Sequence, residues 1–218
     1  MRLPSDPYKE ARKIVRPAKA KADFHIFVLG PALNPTETIR KPRIKIRNHA
    51  SILKHGRYLR YATKLKLETK GYSVEFGETK EMYEFWMNHF GAGDLGSVEL
   101  LHARKMSGAI IVYPSSIGSI SELGMFATND RISEKTFALV HKSFENDNSF
   151  FRKALLEVFG QENGKYKFID YSDHSACVAE ALNFVEGKYQ KLLRDYDSIE
   201  TAEQKKERLR DTIYQRPS

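Results

Sequence analysis

One stretch, residues 109–127, constrains the fold of this chain more than any other. Ala109 to Tyr113 is an apolar, partly β-branched run that stops at Pro114, and a small polar turn follows before apolar periodicity returns. This order predicts a buried strand, a tight loop and the start of a helix. Backbone N–H groups at a helix start can hold an anion. We therefore expect a substrate-binding turn there, formed by Ser115, Ser116, Gly118 and Ser119.

Four other apolar or alternating runs, at residues 24–29, 72–76, 136–140 and 166–170, also predict strands. Helical patterns separate them, and strands that alternate with helices pair in parallel through right-handed crossovers. The expected fold is a three-layer α/β domain with a flavodoxin/Rossmann-like five-stranded parallel sheet in the order 2-1-3-4-5. Strands 1 and 3 are neighbours in that order, so a loop with Gly30 and Pro31 should face the 115–119 turn across one crevice.

The chain divides into three parts by composition. Residues 1–22 are expected to form a basic N-terminal arm, residues 23–196 the α/β domain, and residues 197–218 a charged C-terminal helix or tail. No apolar run reaches membrane length and the N-terminus has no secretory apolar region. A single cysteine, Cys177, and seven histidines scattered along the sequence predict neither a disulfide nor a metal site. We expect a cytoplasmic protein with no membrane partner.

Positive charge concentrates in one helical segment, residues 40–70. That segment has eleven Lys and Arg residues against one acid, Glu68, in a chain whose net charge is +8. Such a patch attracts the phosphates of a nucleotide or of a nucleic acid. The expected contacts are Arg43, Arg47, Arg57 and Arg60. A solvated helix face is the alternative interpretation.

The candidate catalytic residue is Glu122, which the pattern places in the first turn of the helix after strand 3. A carboxylate there can attack the anomeric carbon of a ribosyl group or stabilise an oxocarbenium-like species. Asp94 is the chosen second acid, with Glu99 and Glu78 as competitors. Tyr113 at the crevice is a candidate to stack on a base, and packing in the core is the alternative. The alternative for Glu122 is a carboxylate stabilised by the helix dipole. The residues alone favour neither interpretation.

Two enzyme families resemble this region. Residues 118–127, GSISELGMFA, resemble the segment of nucleoside 2-deoxyribosyltransferases in which the glutamate of a G-x-x-E-L-G-x-A motif is the nucleophile, which implies that role for Glu122. Asp94 stands at a spacing similar to that of an assisting aspartate in the same family. Residues 114–122, PSSIGSISE, are similar to the P-G-G-x-G-T-x-x-E loop of cytokinin-activating phosphoribohydrolases. Ser115 and Ser116 replace its two leading glycines.

The closest overall resemblance is to deoxyribosyltransferase-like effector proteins encoded beside bacterial retrons, and it covers residues 24–170. It rests on the same motif and on a later segment, NDNSFF, at residues 146–151. The resemblance implies an N-glycosidase toxin of anti-phage defence that cleaves NAD or a related nucleotide as substrate and needs no cofactor. It implies as partners a reverse transcriptase and its RNA–DNA product, which the basic segment would contact. A homo-oligomer is a separate expectation for the assembly.

Two other functions remain open from the sequence. The same pocket could belong to a non-catalytic nucleotide-binding sensor, or the chain could be a nucleic-acid-associated subunit whose main surface is the basic segment. The preferred base and sugar are not encoded in any pattern we recognise. The same holds for the choice between hydrolysis and transfer.

Overall fold

The computed structural model describes residues 21–33, 38–77, 79–91 and 93–214, with side chains described as far as residue 195. Residues 1–20 of the predicted N-terminal arm lie outside this range. So does the segment 34–37, in the proline-containing loop that follows strand 1.

The centre of the molecule is a parallel sheet of five strands in the order β2-β1-β3-β4-β5. The registers Ile26↔Ala109 and Val112↔Ala138 fix the central pairs β1–β3 and β3–β4. The predicted order is therefore confirmed, including the switch point between the first and third strands. The strands are β1 (His25–Leu29), β2 (Ser73–Phe76), β3 (Ala109–Val112), β4 (Thr136–His141) and β5 (Lys165–Ile169).

Helices cover both faces of the sheet and make the structure three-layered. In chain order they are α1 (His49–Glu68), α2 (Lys80–Phe90), α3 (Leu95–Lys105), α4 (Ile117–Ala127), α5 (Asp130–Ser133), α6 (Leu156–Gln161) and α7 (His174–Tyr214). A π-helical turn, Phe151–Leu155, leads into α6, and short 3₁₀ turns lie at Lys21–Asp23 and Lys142–Phe144.

Alternation along the central strands divides the core into two halves. Ile111 and Leu139 point to one face, where Leu59 of α1 and Ala181 of α7 cover them. Their neighbours along the strands point to the other face, where helices α2 to α6 pack, with Leu123 of α4 fully buried. Successive strand residues point to opposite sides, and both sides are apolar, which explains the continuous apolar runs in the sequence.

The structure differs from the prediction mainly at helix ends. The predicted helical segment 40–70 is helical only from His49, where Asn48 caps α1 through a reciprocal bond with Ser51, and Gly56 does not interrupt it. Residues 38–48 are irregular, and we call them the basic strap. The final helix continues from His174 to Tyr214 without a break at residue 196, so the predicted tail is an extension of α7.

Candidate functional site

The loops after β1 and β3 lie against each other at the carboxyl edge of the sheet. The backbone N–H of Tyr113 donates to Leu29 O at 3.0 Å, and a Cβ added at Gly30 would lie 3.2 Å from the Cβ of Tyr113. Glycine is needed there because the two backbones approach so closely. The predicted juxtaposition of these two loops is confirmed.

Helix α1 closes this junction from one side, and Arg60 is its anchor. The guanidinium is fully buried and donates to Val28 O, Gly30 O and Pro31 O at 3.1, 3.2 and 3.1 Å. It also lies over the ring of Phe76, 4.6 Å from the centroid. The prediction of Arg60 as a surface contact for phosphates is therefore wrong, because this charge holds together the end of β1 from inside.

The turn before α4 caps itself. Ser116 Oγ accepts from Ser119 N at 3.2 Å, and Ser119 Oγ accepts from Ser116 N and Ser115 N at 3.0 and 3.1 Å. Three N–H groups of the predicted anion-binding turn are thus engaged within the turn. Ile117 and Gly118 are exposed at the tip. An anion at this helix start would therefore meet the N–H groups of Ile117 and Gly118 rather than those of the serines.

Glu122 is the sixth residue of α4, because the helix begins at Ile117 and not at Ser119 as predicted, and it therefore lies beyond the first turn. Its side chain is partly buried, and its Oε2 is shielded from solvent. The stabilising effect of a helix dipole on a carboxylate fades beyond the first turn. The position of Glu122 therefore weakens the purely structural interpretation of this residue.

Asp94 caps α3 and is exposed. Its carboxylate accepts from Ser97 N at 2.9 Å and from Ser97 Oγ at 2.7 Å, and these bonds lower the pKa of Asp94. A Cβ at Gly96 would lie 3.4 Å from Met125 Sδ, so the start of α3 packs beside the helix that holds Glu122. Of the competitors, Glu99 is buried beside Gly77, and Glu78 lies outside the described residues. The role of Asp94 as second acid stays a prediction.

Tyr113 belongs to the core. The ring is fully buried, its hydroxyl is 2.6 Å from Thr63 Oγ1, and burial raises its pKa. Its ring also contacts that of Tyr171, with centroids 6.0 Å apart. Tyr113 is therefore an interior side chain, and the expectation that it stacks on a base is wrong. Gly30, Pro31, Ser115 and Ser119 are buried as well, so they shape the loop junction rather than its outer surface.

The basic strap is exposed. Arg43 and Arg47 both face solvent, as predicted for residues that could contact phosphates, while Arg57 on α1 is partly buried. The strap is fixed to the domain by the ring of His55, whose Nε2 is 3.0 Å from Ile44 O. The expected nucleic-acid contacts therefore divide into an exposed pair on the strap and two arginines of α1 that are buried to different degrees.

A cluster of histidines at the carboxyl edge was missed from the sequence. His55, His141 and His174 are all buried, on α1, at the end of β4 and at the start of α7. His55 Nδ1 is 2.9 Å from His174 Nε2 and 3.2 Å from Tyr171 O. The predicted strand 4 ended one residue before His141, so the rule that ligands bind at strand carboxyl ends could have found it.

Neither a metal-ligand cluster nor a membrane-spanning helix is found among the described residues. No group of three His, Cys, Asp or Glu residues there could hold a metal ion, and no described helix is long and apolar enough to cross a bilayer. An apolar cavity of about 410 Å³ lies away from Glu122, between β2, α2 and α3. Its lining includes Trp86, Glu75 and His102, and Glu75 Oε2 lies 2.9 Å from His102 Nε2.

Fold and site together define a Rossmann-like α/β protein with its candidate site at the carboxyl edge of β1 and β3, beside a carboxylate on α4. Residues 56–214 match the model of the STM3845 retron effector protein family, and the chain belongs to that family. Membership supports a role as a retron effector in anti-phage defence. No curated protein matches the chain significantly.

Proposed function

We propose that the chain is a retron effector that cleaves the N-glycosidic bond of a nucleotide, with Glu122 as nucleophile. The observation that supports this proposal best is the position of Glu122. It lies on the helix that follows β3, beside the loop junction of β1 and β3, where open α/β sheets bind ligands. One carboxylate oxygen is shielded from solvent. Partial desolvation of this kind favours attack by a carboxylate on a carbon with oxocarbenium character.

The proposed reaction balances without a cofactor. A carboxylate oxygen of Glu122 forms a bond to C1′ of the ribosyl group while the C1′–N bond breaks and its electron pair leaves with the base. Water, or the nitrogen of a second base, then attacks C1′, the bond to Glu122 breaks with its electron pair returning to the carboxylate, and the attacking group loses its proton to solvent. A neutral leaving base takes up a proton, whereas a nicotinamide ring that is cationic in NAD leaves neutral and needs none. NAD is therefore the substrate with the lowest demand for a second acid.

The test is the release of free base by the purified chain with NAD and with adenosine and deoxyadenosine nucleotides. We expect Glu122→Gln to lower the rate at least a thousandfold, because the amide is a far weaker nucleophile. Glu81→Gln, an exposed glutamate on α2, is the matched control and should keep the wild-type rate. Base release that survives in Glu122→Gln would contradict the proposal. Nucleotide binding without any release by the wild type would instead identify a sensor.

A second proposed property is contact with the nucleic acid of a retron. The basic strap supports it, because Arg40, Lys41, Arg43, Lys45 and Arg47 are all exposed within eight residues. Such a density of positive charge attracts a phosphate backbone without reading its bases. We propose the RNA–DNA product of the retron reverse transcriptase as the ligand of this surface.

A further inference from the structure

His141 is a buried imidazole whose two nitrogens are in different situations. Its Nδ1 accepts the backbone N–H of Ser143 at 3.2 Å and is 2.8 Å from Ser143 Oγ. A backbone N–H can only donate, so the neutral ring must have its proton on Nε2. That Nε2 is buried and has no hydrogen-bond partner within the described part of the chain. A buried donor without a partner is uncommon and suggests that a ligand supplies one.

The carboxylate of Asp170 lies near His141 Nε2 but is too far away to bond to it directly. Asp170 Oδ1 lies 4.0 Å from His141 Nε2. The other oxygen is paired with Lys142 Nζ at 2.6 Å, and Oδ1 also accepts from Ser172 N and Oγ at 2.9 and 2.8 Å. Lys142 and Ser172 hold the pKa of Asp170 well below its usual range despite some desolvation, so the group is a fixed anion at neutral pH.

One oxygen atom at hydrogen-bond distance from both His141 Nε2 and Asp170 Oδ1 would bridge them. An oxygen placed about 2.8 Å from each would subtend an angle near 90° between them, which a hydroxyl group accommodates. A hydroxyl can accept from His141 Nε2 and donate to Asp170 Oδ1 at the same time. A phosphate or carboxylate oxygen fits badly, because it would lie beside the anionic Asp170 with no proton to share.

The position of this pair connects it with the candidate site. β3 and β4 pair in parallel, so His141 at the end of β4 lies at the same carboxyl edge of the sheet as the loop after β3. The ring of His141 also packs on Tyr171, with centroids 5.2 Å apart, and His174 begins α7 directly after the loop that holds Tyr171. The Nδ1 of His174 is a second buried nitrogen without a partner among the described residues. Both unpartnered atoms lie around the loop that follows β5.

We propose that His141 and Asp170 form a subsite for a ribose hydroxyl, so that the edge binds ribonucleotides in preference to nucleotides that lack that hydroxyl. The proposal rests on the proposed function only in requiring that this edge binds a nucleotide. It assigns the sugar preference that no sequence motif provides. His141 acts in it as a specificity-determining residue.

The experiment measures binding of adenosine 5′-monophosphate and its 2′-deoxy and 3′-deoxy forms by calorimetry, all in the Glu122→Gln background. We expect one deoxy form to bind about tenfold more weakly than adenosine 5′-monophosphate, because the hydrogen bond that it loses is made to the charged carboxylate of Asp170. His141→Asn keeps an acceptor for Ser143 but loses the Nε2 donor. It should weaken binding of adenosine 5′-monophosphate and abolish the difference in affinity between this nucleotide and its deoxy form. His141→Gln places an amide nitrogen near the original position of Nε2 and should restore part of this difference in affinity.

The outcomes separate this proposal from the proposed function. Equal binding of all three nucleotides by the parent protein overturns the subsite and leaves the N-glycosidase proposal intact. Discrimination that persists in His141→Asn also overturns it. If no nucleotide, NAD included, binds to the parent protein, both proposals fail. Because a buried position is changed, the thermal unfolding of each variant is recorded. The deciding quantity is the ratio of the dissociation constants of the deoxy nucleotide and adenosine 5′-monophosphate, measured within one folded variant.

Discussion

Gly56 of α1 lies directly against Ser115 of the loop after β3: a Cβ at residue 56 would overlap the Ser115 hydroxyl. The backbone of α1 therefore contacts the side chain of Ser115 at the point where the loops after β1 and β3 meet. The contact holds α1 close enough for Arg60, one turn later, to reach the carbonyls at the end of β1. A residue that costs stability in an isolated helix is here required by packing.

The first prediction concerns this contact. Gly56→Ala should destabilise the protein by about 1–3 kcal/mol, since the added methyl must displace Ser115 or the helix. Gly187→Ala is the control: residue 187 lies exposed in α7 with nothing near its added Cβ. That change should stabilise by about 0.5–1 kcal/mol. Denaturant unfolding measures both, and a stabilising Gly56→Ala would refute the packing argument.

The second prediction separates the two kinds of arginine. Arg60→Met removes the donors to three buried carbonyls and should lower the free energy of unfolding by about 3 kcal/mol or more. Arg43→Met, at an exposed position of the strap, should change it by no more than about 0.5 kcal/mol. Similar losses for both would mean that the buried hydrogen bonds of Arg60 contribute little.

The third prediction tests whether Asp94 does more than cap α3. Asn caps a helix about as well as Asp, so Asp94→Asn should alter stability by less than about 0.5 kcal/mol. If Asp94 assists the departing base, the same change should reduce base release from a neutral-base nucleotide by about 100-fold. The effect on NAD should be smaller. Unchanged turnover with every substrate would leave Asp94 as a cap alone.

The fourth prediction concerns the strap. Binding of a labelled RNA–DNA hybrid should weaken steeply with salt, and the slope of log affinity against log salt should fall by about one for each contacting arginine removed. Arg43→Gln and Arg47→Gln test this, because both residues are exposed. Lys66→Gln, also exposed but on the last turn of α1, is the matched control for net charge. If the salt slope falls equally in all three variants, binding depends on the net charge of the protein and not on the position of the arginines.

The fifth prediction uses the histidine cluster. Burial, and then the nearby His55 and Lys41, lower the pKa of His174 from 6.5 to about 4. Between these values the unfolded chain binds a proton that the folded protein does not, so stability falls as the pH drops from about 6.5 to 4. The slope due to one group reaches at most about 1.4 kcal/mol per pH unit.

His174→Gln should therefore make the loss of stability in this pH window shallower. His89→Gln, an exposed histidine on α2, should leave the curve unchanged. Urea unfolding at several pH values measures the slopes. A His174→Gln curve parallel to that of the wild type would show that His174 is protonated equally in the folded and unfolded chains.

The fold was predictable because its signals are local. The strands at 109–112 and 136–141 are buried on both faces, so they appear in the sequence as uninterrupted apolar runs. The intervening helices then predict parallel pairing, whereas the order 2-1-3-4-5 rests on analogy with a common doubly wound fold. Helix ends were harder to predict from the sequence. The start of α1 depends on the Asn48–Ser51 cap, and the apolar stripe does not mark it.

The candidate site was predictable only in part. Glu122 stands out because its motif is short and contiguous. Arg60 could not be distinguished from Arg43 in the sequence, since both are arginines of one basic segment, and only the approach of α1 to β1 buries one of them. His55, His141 and His174 are up to 119 residues apart in the sequence, so their meeting is a consequence of topology.

Helix α7 begins beside the histidine cluster and continues as one helix for 41 residues. At the usual rise per residue it is about 60 Å long, well beyond what the sheet needs for cover. Cys177, Ala181, Val185 and Tyr189 of this helix pack into the core. The sheet therefore sets the direction in which the remaining turns of α7 extend away from the domain.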